Sequence, residues 1–170
     1  MIYAFSALII FFGVALDQFT KYLASTYLKG APITIIEGVF ELHYLENRGA
    51  AFGMMQNQQL FFLITASIAL AIITIVFIRL PKEKKYFPLR ICLTCIATGA
   101  LGNMIDRVRL QYVIDFFYAK FINFPIFNVA DIFATVSTLV LAILFMFYYK
   151  DSDIDIIFQT LCFKHKKSQE

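Results

Sequence analysis

The stretch FNVADIFATVSTLVLAILFMFYY, residues 127–149, decides the fold. Residues 132–149 carry no charge. At about 1.5 Å per residue they suffice, as a helix, to cross about 30 Å of hydrocarbon. Asp131 stands at the head of this run. An Asp at membrane depth costs up to about 2.5–3.5 kcal/mol, so such residues face the protein interior or a wet cavity. The segment therefore predicts a membrane span with a functional residue at one end.

Working outward, 60% of the 170 residues are apolar, well above the roughly 45–50% of soluble domains. Four windows are long and apolar enough to span: about 2–23, 60–78, 89–107 and 130–149. The first has no basic leader and no small-residue cleavage site, so it reads as a retained helix. The expected fold is an all-α integral membrane protein of four transmembrane helices, with a small extracytoplasmic β-sheet (a cradle) and an interfacial aromatic segment. Residues 1–150 form the membrane domain and 151–170 a cytoplasmic tail.

Basic residues set the orientation. RLPKEKKYFPLR, between the second and third spans, holds Arg79, Lys82, Lys84, Lys85 and Arg90 against Glu83, and the tail carries Lys150, Lys164, Lys166 and Lys167. The positive-inside rule places both, and hence both termini, in the cytoplasm. Residues 24–59 and 108–129 then face outward. The net charge of +3 is thereby explained by topology, and no nucleic-acid partner is implied. Cys92 and Cys95 sit inside the third span with no second ligand pair, which reads as apolar filling rather than a redox or metal site. Cys162 reads as a cytoplasmic thiol.

In the first outer segment, Phe40, Leu42 and Tyr44 alternate with Glu41 and His43, the period of a strand with one apolar face. His43 is expected to be solvated. The second outer segment, RLQYVIDFFYAKFINFPIFN, mixes aromatics with Arg109, Asp115 and Lys120, and suits the membrane interface. Asn128 fits the N-cap of the fourth helix.

With this topology the isolated polar residues converge at one level. Asp17 and Lys21 lie near the outer end of the first helix, and Asn103, Asp106 and Arg107 near that of the third. Asp131 heads the fourth, while Asn47 and Asp115 hang from the outer segments. Asp17 and Lys21, at i and i+4, can form a helix-end ion pair or take part in a site. Asp106 and Arg107 can be a structural pair. Gly99 and Gly102 point to close helix packing. Asp115 and Asp131 have no basic residue at i±3 or i±4. Two carboxyls about 3 Å apart cannot both ionise and share one proton. Such a pair can activate water and polarise a carbonyl without metal or cofactor.

Several stretches in order carry a family resemblance: DQFTK from Asp17 to Lys21, NRGAAFG from Asn47 through Gly49 to Gly53, GALGNMIDR from Gly99 to Arg107, VIDF around Asp115, and FNVAD with Asn128, Ala130 and Asp131. Together they resemble the type II, or lipoprotein, signal peptidases of bacteria, over residues 1 to about 149. The resemblance implies an inner-membrane aspartic peptidase that cuts a prolipoprotein just before the lipid-modified cysteine of its lipobox. It implies Asp115 and Asp131 as the catalytic dyad. Asn47, Asn103, Arg107 and Asn128 would line the site or hold substrate and dyad, and Asp17 and Lys21 would shape its outer rim. Membrane lipids and globomycin-type inhibitors are the further implied partners, and a monomer is expected. The aromatic residues 116–124 are expected to close over the scissile bond. Residues 151–170 have no counterpart in the resemblance.

Two rivals make different demands. A small proton- or ion-coupled transporter calls for polar residues along a path across the bilayer, and here they gather on one side. A metal-dependent lipid-headgroup enzyme would use Asp17, Asp106, Asp115 and Asp131 as oxygen ligands.

Overall fold

The computed structural model describes residues 2–49 and 55–161. Positions 50–53 of the NRGAAFG motif, Cys162 and the basic residues Lys164, Lys166 and Lys167 lie outside the described residues. Helix α1 (Ile2–Tyr27) is followed by strands β1 (Ile33–Ile36) and β2 (Phe40–Asn47), helices α2 (Gln59–Arg79) and α3 (Phe87–Leu110), strand β3 (Val113–Ala119), and helices α4 (Val129–Ile143) and α5 (Asp151–Leu161). α4 runs on through a π turn, Leu144–Tyr148. Among the described residues, 4 helices are long and apolar enough to cross a membrane, at the positions expected from sequence.

α3 is the central helix: 50% of its spanning window is buried against 6% of that of α2. Without a hydrophobic force between helices in lipid, close approach through small residues must hold the bundle. A Cβ on Gly99 would lie 2.3 Å from the Ala130 carbonyl oxygen, and one on Gly102 only 2.7 Å from Asp17 Oδ2. These two glycines let α1, α3 and α4 meet at the level of the polar residues.

The sheet is three-stranded, in the order β1-β2-β3, with both pairings antiparallel. It rests on α1 through Ala24, Leu28, Ile114 and Phe116. Within the second outer segment, which the sequence placed at the membrane interface without assigning it an element, residues Val113–Ala119 form strand β3. Val113, Ile114, Asp115 and Phe116 are buried in succession, so the strand shows no alternation to read. Phe116 is also anchored in the core, whereas Phe121, Ile122 and Phe124 of the expected closing segment are exposed.

Two further expectations change. His43 is not simply solvated: its Nε2 lies 2.8 Å from Glu41 Oε2, and Lys120 Nζ closes on the other oxygen of that buried carboxylate at 2.6 Å. Arg90 is not a loop charge. It is 3% exposed inside α3 and donates from Nη2 to the Leu80 carbonyl at 2.7 Å and from Nη1 to that of Phe77. These are carbonyls at the C-terminus of α2 that have no helical partner of their own. Around them Val76, Leu80, Tyr86, Leu89, Leu93, Tyr149 and Ile157 form an apolar core at the end of the bundle away from the sheet.

Candidate active site

The site begins at the first turn of α4. Asn128 is its N-cap: Asn128 Oδ1 accepts from the Asp131 backbone N–H at 2.9 Å, and Asp131 Oδ2 accepts from the Asn128 N–H at 3.1 Å. This reciprocal capping box fixes the Asp131 carboxylate before any other contact acts. Asn103, on α3, donates from Nδ2 to Asp131 Oδ1 at 2.7 Å.

Asp115 arrives from β3, and a bulge in β2 decides what faces it. Leu42 pairs with Phe117 but Leu45 pairs with Asp115, so β2 carries one extra residue between them. A one-residue shift moves every later side chain to the other face. Asn47 thereby stands on the face of Asp115 as its diagonal neighbour, and donates from Nδ2 to Asp115 Oδ2 at 2.8 Å. Its own Oδ1 accepts from the Gly49 N–H at 3.0 Å, which fixes the amide orientation. Asn128 Nδ2 donates to Asp115 Oδ1 at 2.6 Å. Asn128 therefore joins both carboxylates. Burial, then the negative charge of Asp131, pushes the Asp115 carboxyl up to about 7, against the hydrogen bonds from Asn47 and Asn128.

Beneath the pair lies a buried charge cluster. Lys21 Nζ is 2.9 Å from Asp17 Oδ2, 2.9 Å from Asp106 Oδ2 and 3.0 Å from Asn103 Oδ1, which matches its three N–H donors. Because Asn103 Oδ1 receives Lys21, its Nδ2 is left to face Asp131. Asp17 Oδ1 accepts from the Ala130 N–H at 2.9 Å, placing a negative charge at the N-terminus of α4, where the helix dipole favours it. Asp106 Oδ2 accepts from the Ile114 N–H at 3.2 Å and so ties β3 to α3. At 1% and 2% exposure Asp17 and Lys21 are interior supports, not rim residues.

Asp106 thus pairs with Lys21 and not with Arg107. Arg107 sits over the Phe62 ring at 4.8 Å, and its buried Nε has no partner among the described residues. Gln18 had no role assigned from sequence. Its Nε2 donates to Asp106 Oδ1 at 2.9 Å, and its Oε1 accepts from Arg109. A lone amide beside a charged residue in a span was the available signal.

Asp115, Asp131, Asn47, Gly49, Asn103 and Arg107 line one cavity of about 700 Å³. Apolar walls from Leu45, Val113, residues 124–127, Ile132, Thr135 and Val136 extend it along α4. Both carboxyls therefore open onto the same space, large enough for a peptide segment and largely apolar. Among the described residues no three His, Cys, Asp or Glu side chains converge as a metal-binding group.

The sequence pattern of signal peptidase (SPase) II matches residues 9–147. A lipoprotein signal peptidase of Caldanaerobacter subterraneus subsp. tengcongensis is 48% identical over 143 residues, covering 82% of this chain and 94% of the relative. One from Clostridioides difficile is 41% identical over 146 residues, covering 85% and 97%. Two solved structures, each described as a bacterial membrane enzyme determined by the in meso method, superpose with TM-scores of 0.72 and 0.75. They are 29% and 33% identical and cover 98% and 86% of this chain and 95% of each of theirs. With that match across most of its length, this chain belongs to the signal peptidase II family.

Proposed function

We propose that this protein is an aspartic endopeptidase of the bacterial inner membrane, which removes the signal peptide from diacylglyceryl-modified prolipoproteins by cutting just before the lipidated cysteine. The observation that carries it is the joining of Asp115 and Asp131 through Asn128 in the lining of one largely apolar cavity. Relatives named lipoprotein signal peptidase support the substrate class.

The chemistry follows from the shared proton. With the Asp115 carboxyl pushed up to about 7, the pair holds one proton near neutral pH. The ionised member takes a proton from a water molecule, whose oxygen attacks the scissile carbonyl carbon. The protonated member donates to the carbonyl oxygen, giving a tetrahedral gem-diol. Collapse of that species returns a proton to the departing nitrogen. A new carboxyl is left on the signal peptide and a free amine on the lipidated cysteine. Asn47, Asn103 and Asn128 hold the carboxyls in place, and Arg107 offers N–H groups to substrate carbonyls from the cavity wall. The trough beside Ile132, Thr135 and Val136 suits the apolar signal helix.

The basic residues at the end opposite the sheet orient the site outward, although Arg90 no longer counts among the loop charges. The lipid anchor then holds the cysteine at the outer headgroup level, so proximity is supplied by tethering. Globomycin-type inhibitors would occupy the same cavity, and a monomer contains every residue named here. The test is cleavage of a diacylglyceryl-modified prolipoprotein by the purified protein, compared with Asp115→Asn and Asp131→Asn. Each change should lower kcat by about 10²–10⁴-fold while the thermal transition persists. Near-full turnover in either variant would reject this dyad.

A further inference from the structure

α4 presents one face to the cavity. Asp131, Ile132, Thr135 and Val136 all line it, and their spacing sets them side by side along the helix. Thr135 stands one turn from Asp131, about 6 Å along the axis and toward the apolar middle of the span. Ile132 and Val136, beside it on that stretch of the wall, have no side-chain donor to offer.

Thr135 also departs from the other threonines of the four spanning helices. Each of those donates its hydroxyl to the carbonyl four residues back, Thr138 to that of Ala134 among them. For Thr135 that bond would run to the Asp131 carbonyl. Instead the Thr135 hydroxyl donates to nothing among the described residues. The residue is exposed on the cavity wall, so its donor is available to what enters.

The proposed substrate brings an acceptor to that depth. The last four carbonyls of a helix have no partner within it, and in hydrocarbon no water replaces one. A signal helix that ends below the dyad therefore delivers unpaired carbonyls into the cavity. An extended chain advances about 3.3 Å per residue, so the carbonyl reaching Thr135 lies about two residues ahead of the one that is cut.

We infer that Thr135 is a positioning residue, whose hydroxyl donates to the main-chain carbonyl of the third residue before the lipidated cysteine. This rests on the peptidase reading of the site. Because the bond is made to main chain, it sets how far the signal peptide descends past the dyad whatever side chains that peptide carries.

Thr135→Val keeps the shape and removes the donor. In steady-state cleavage of a diacylglyceryl-modified prolipoprotein in detergent, its KM should rise about three- to tenfold with kcat near the parent value. That split marks an interaction made equally in the bound substrate and the transition state. Thr135→Ser, which keeps a hydroxyl, should bring KM back toward the parent. A substrate with an ester in place of the amide after that third residue has a weaker carbonyl acceptor. It should raise the KM of the parent but not that of Thr135→Val, since the two changes remove one bond. An unchanged or lowered KM in Thr135→Val, or an equal ester penalty in both proteins, would overturn the inference. Thr135→Cys, a weak donor, takes the place of the valine variant if that one does not fold. Cleavage by the parent with no effect at Thr135 rejects only this inference, whereas no cleavage by the parent rejects the peptidase reading and this inference with it.

Discussion

At the sheet end the bundle buries Asp17, Lys21, Asp106, Asp115 and Asn128 to 2% exposure or less, whereas at the opposite end it buries Leu80, Tyr86 and Leu89 to the same degree. The apolar end is held mainly by packing, with the buried Arg90 tying down the last carbonyls of α2. The polar end is held by charge and hydrogen bonds in a low-dielectric setting, where each group is costly unless its partners are complete. One end thus supplies stability, and the other spends it on placing two carboxyls. Two ends built on the same four helices should then fail differently when damaged.

The largest difference should come from Lys21→Met. Methionine fills the space but leaves Asp17 and Asp106 buried without their cation, and breaking a buried pair from one side costs about 3–5 kcal/mol. Asn103 also loses the donor that orients its amide. The expected outcome is a large fall in melting temperature together with lost cleavage, both measured in detergent. A variant melting near the parent with full kcat would mean that the cluster is dispensable.

Leu89→Ala at the other end should cost about 2–5 kcal/mol, from lost contacts and the cavity left behind. Here stability and turnover should separate. The melting temperature drops, but kcat per folded molecule stays at the parent value at temperatures well below the transition. A parallel loss of kcat would show that the apolar core communicates with the dyad, contrary to the division drawn above.

Sequence exposed the two ends unequally. The spans were legible because length and hydropathy alone determine them, and Asp131 was legible because an isolated acid at that depth has few uses. β3 was not, since a strand buried along VIDF shows no period of two. The bulge that turns Asn47 toward Asp115 is a register effect between strands distant in sequence, with no local mark. Arg90 was misplaced because counting cations in a loop cannot see one folded back onto helix-terminal carbonyls. The Asp106 partner was decidable. Helix neighbours at i and i+1 do not face each other, so Arg107 was a poor candidate from the start, and Lys21 needed only the packing at Gly102 to reach it.

The finest test of the polar end concerns titration. The Asp115 carboxyl stands at about 7 because burial and the charge of Asp131 raise it, so below that pH the pair keeps its shared proton and above it the proton is lost. Cleavage should therefore fall as pH rises through about 7. Stability should follow the same sign: a raised carboxyl contributes stability that is complete below its unfolded value and lost as pH climbs to the folded one. The hydrogen bond from Asn47 favours the ionised form and holds the value down. Asn47→Ala removes it, so the alkaline limb of the kcat profile should move to higher pH, with a loss of about 1–3 kcal/mol in stability from the unmade bond. A limb that moves to lower pH, or stays put, would mean that the falling limb belongs to some group other than Asp115.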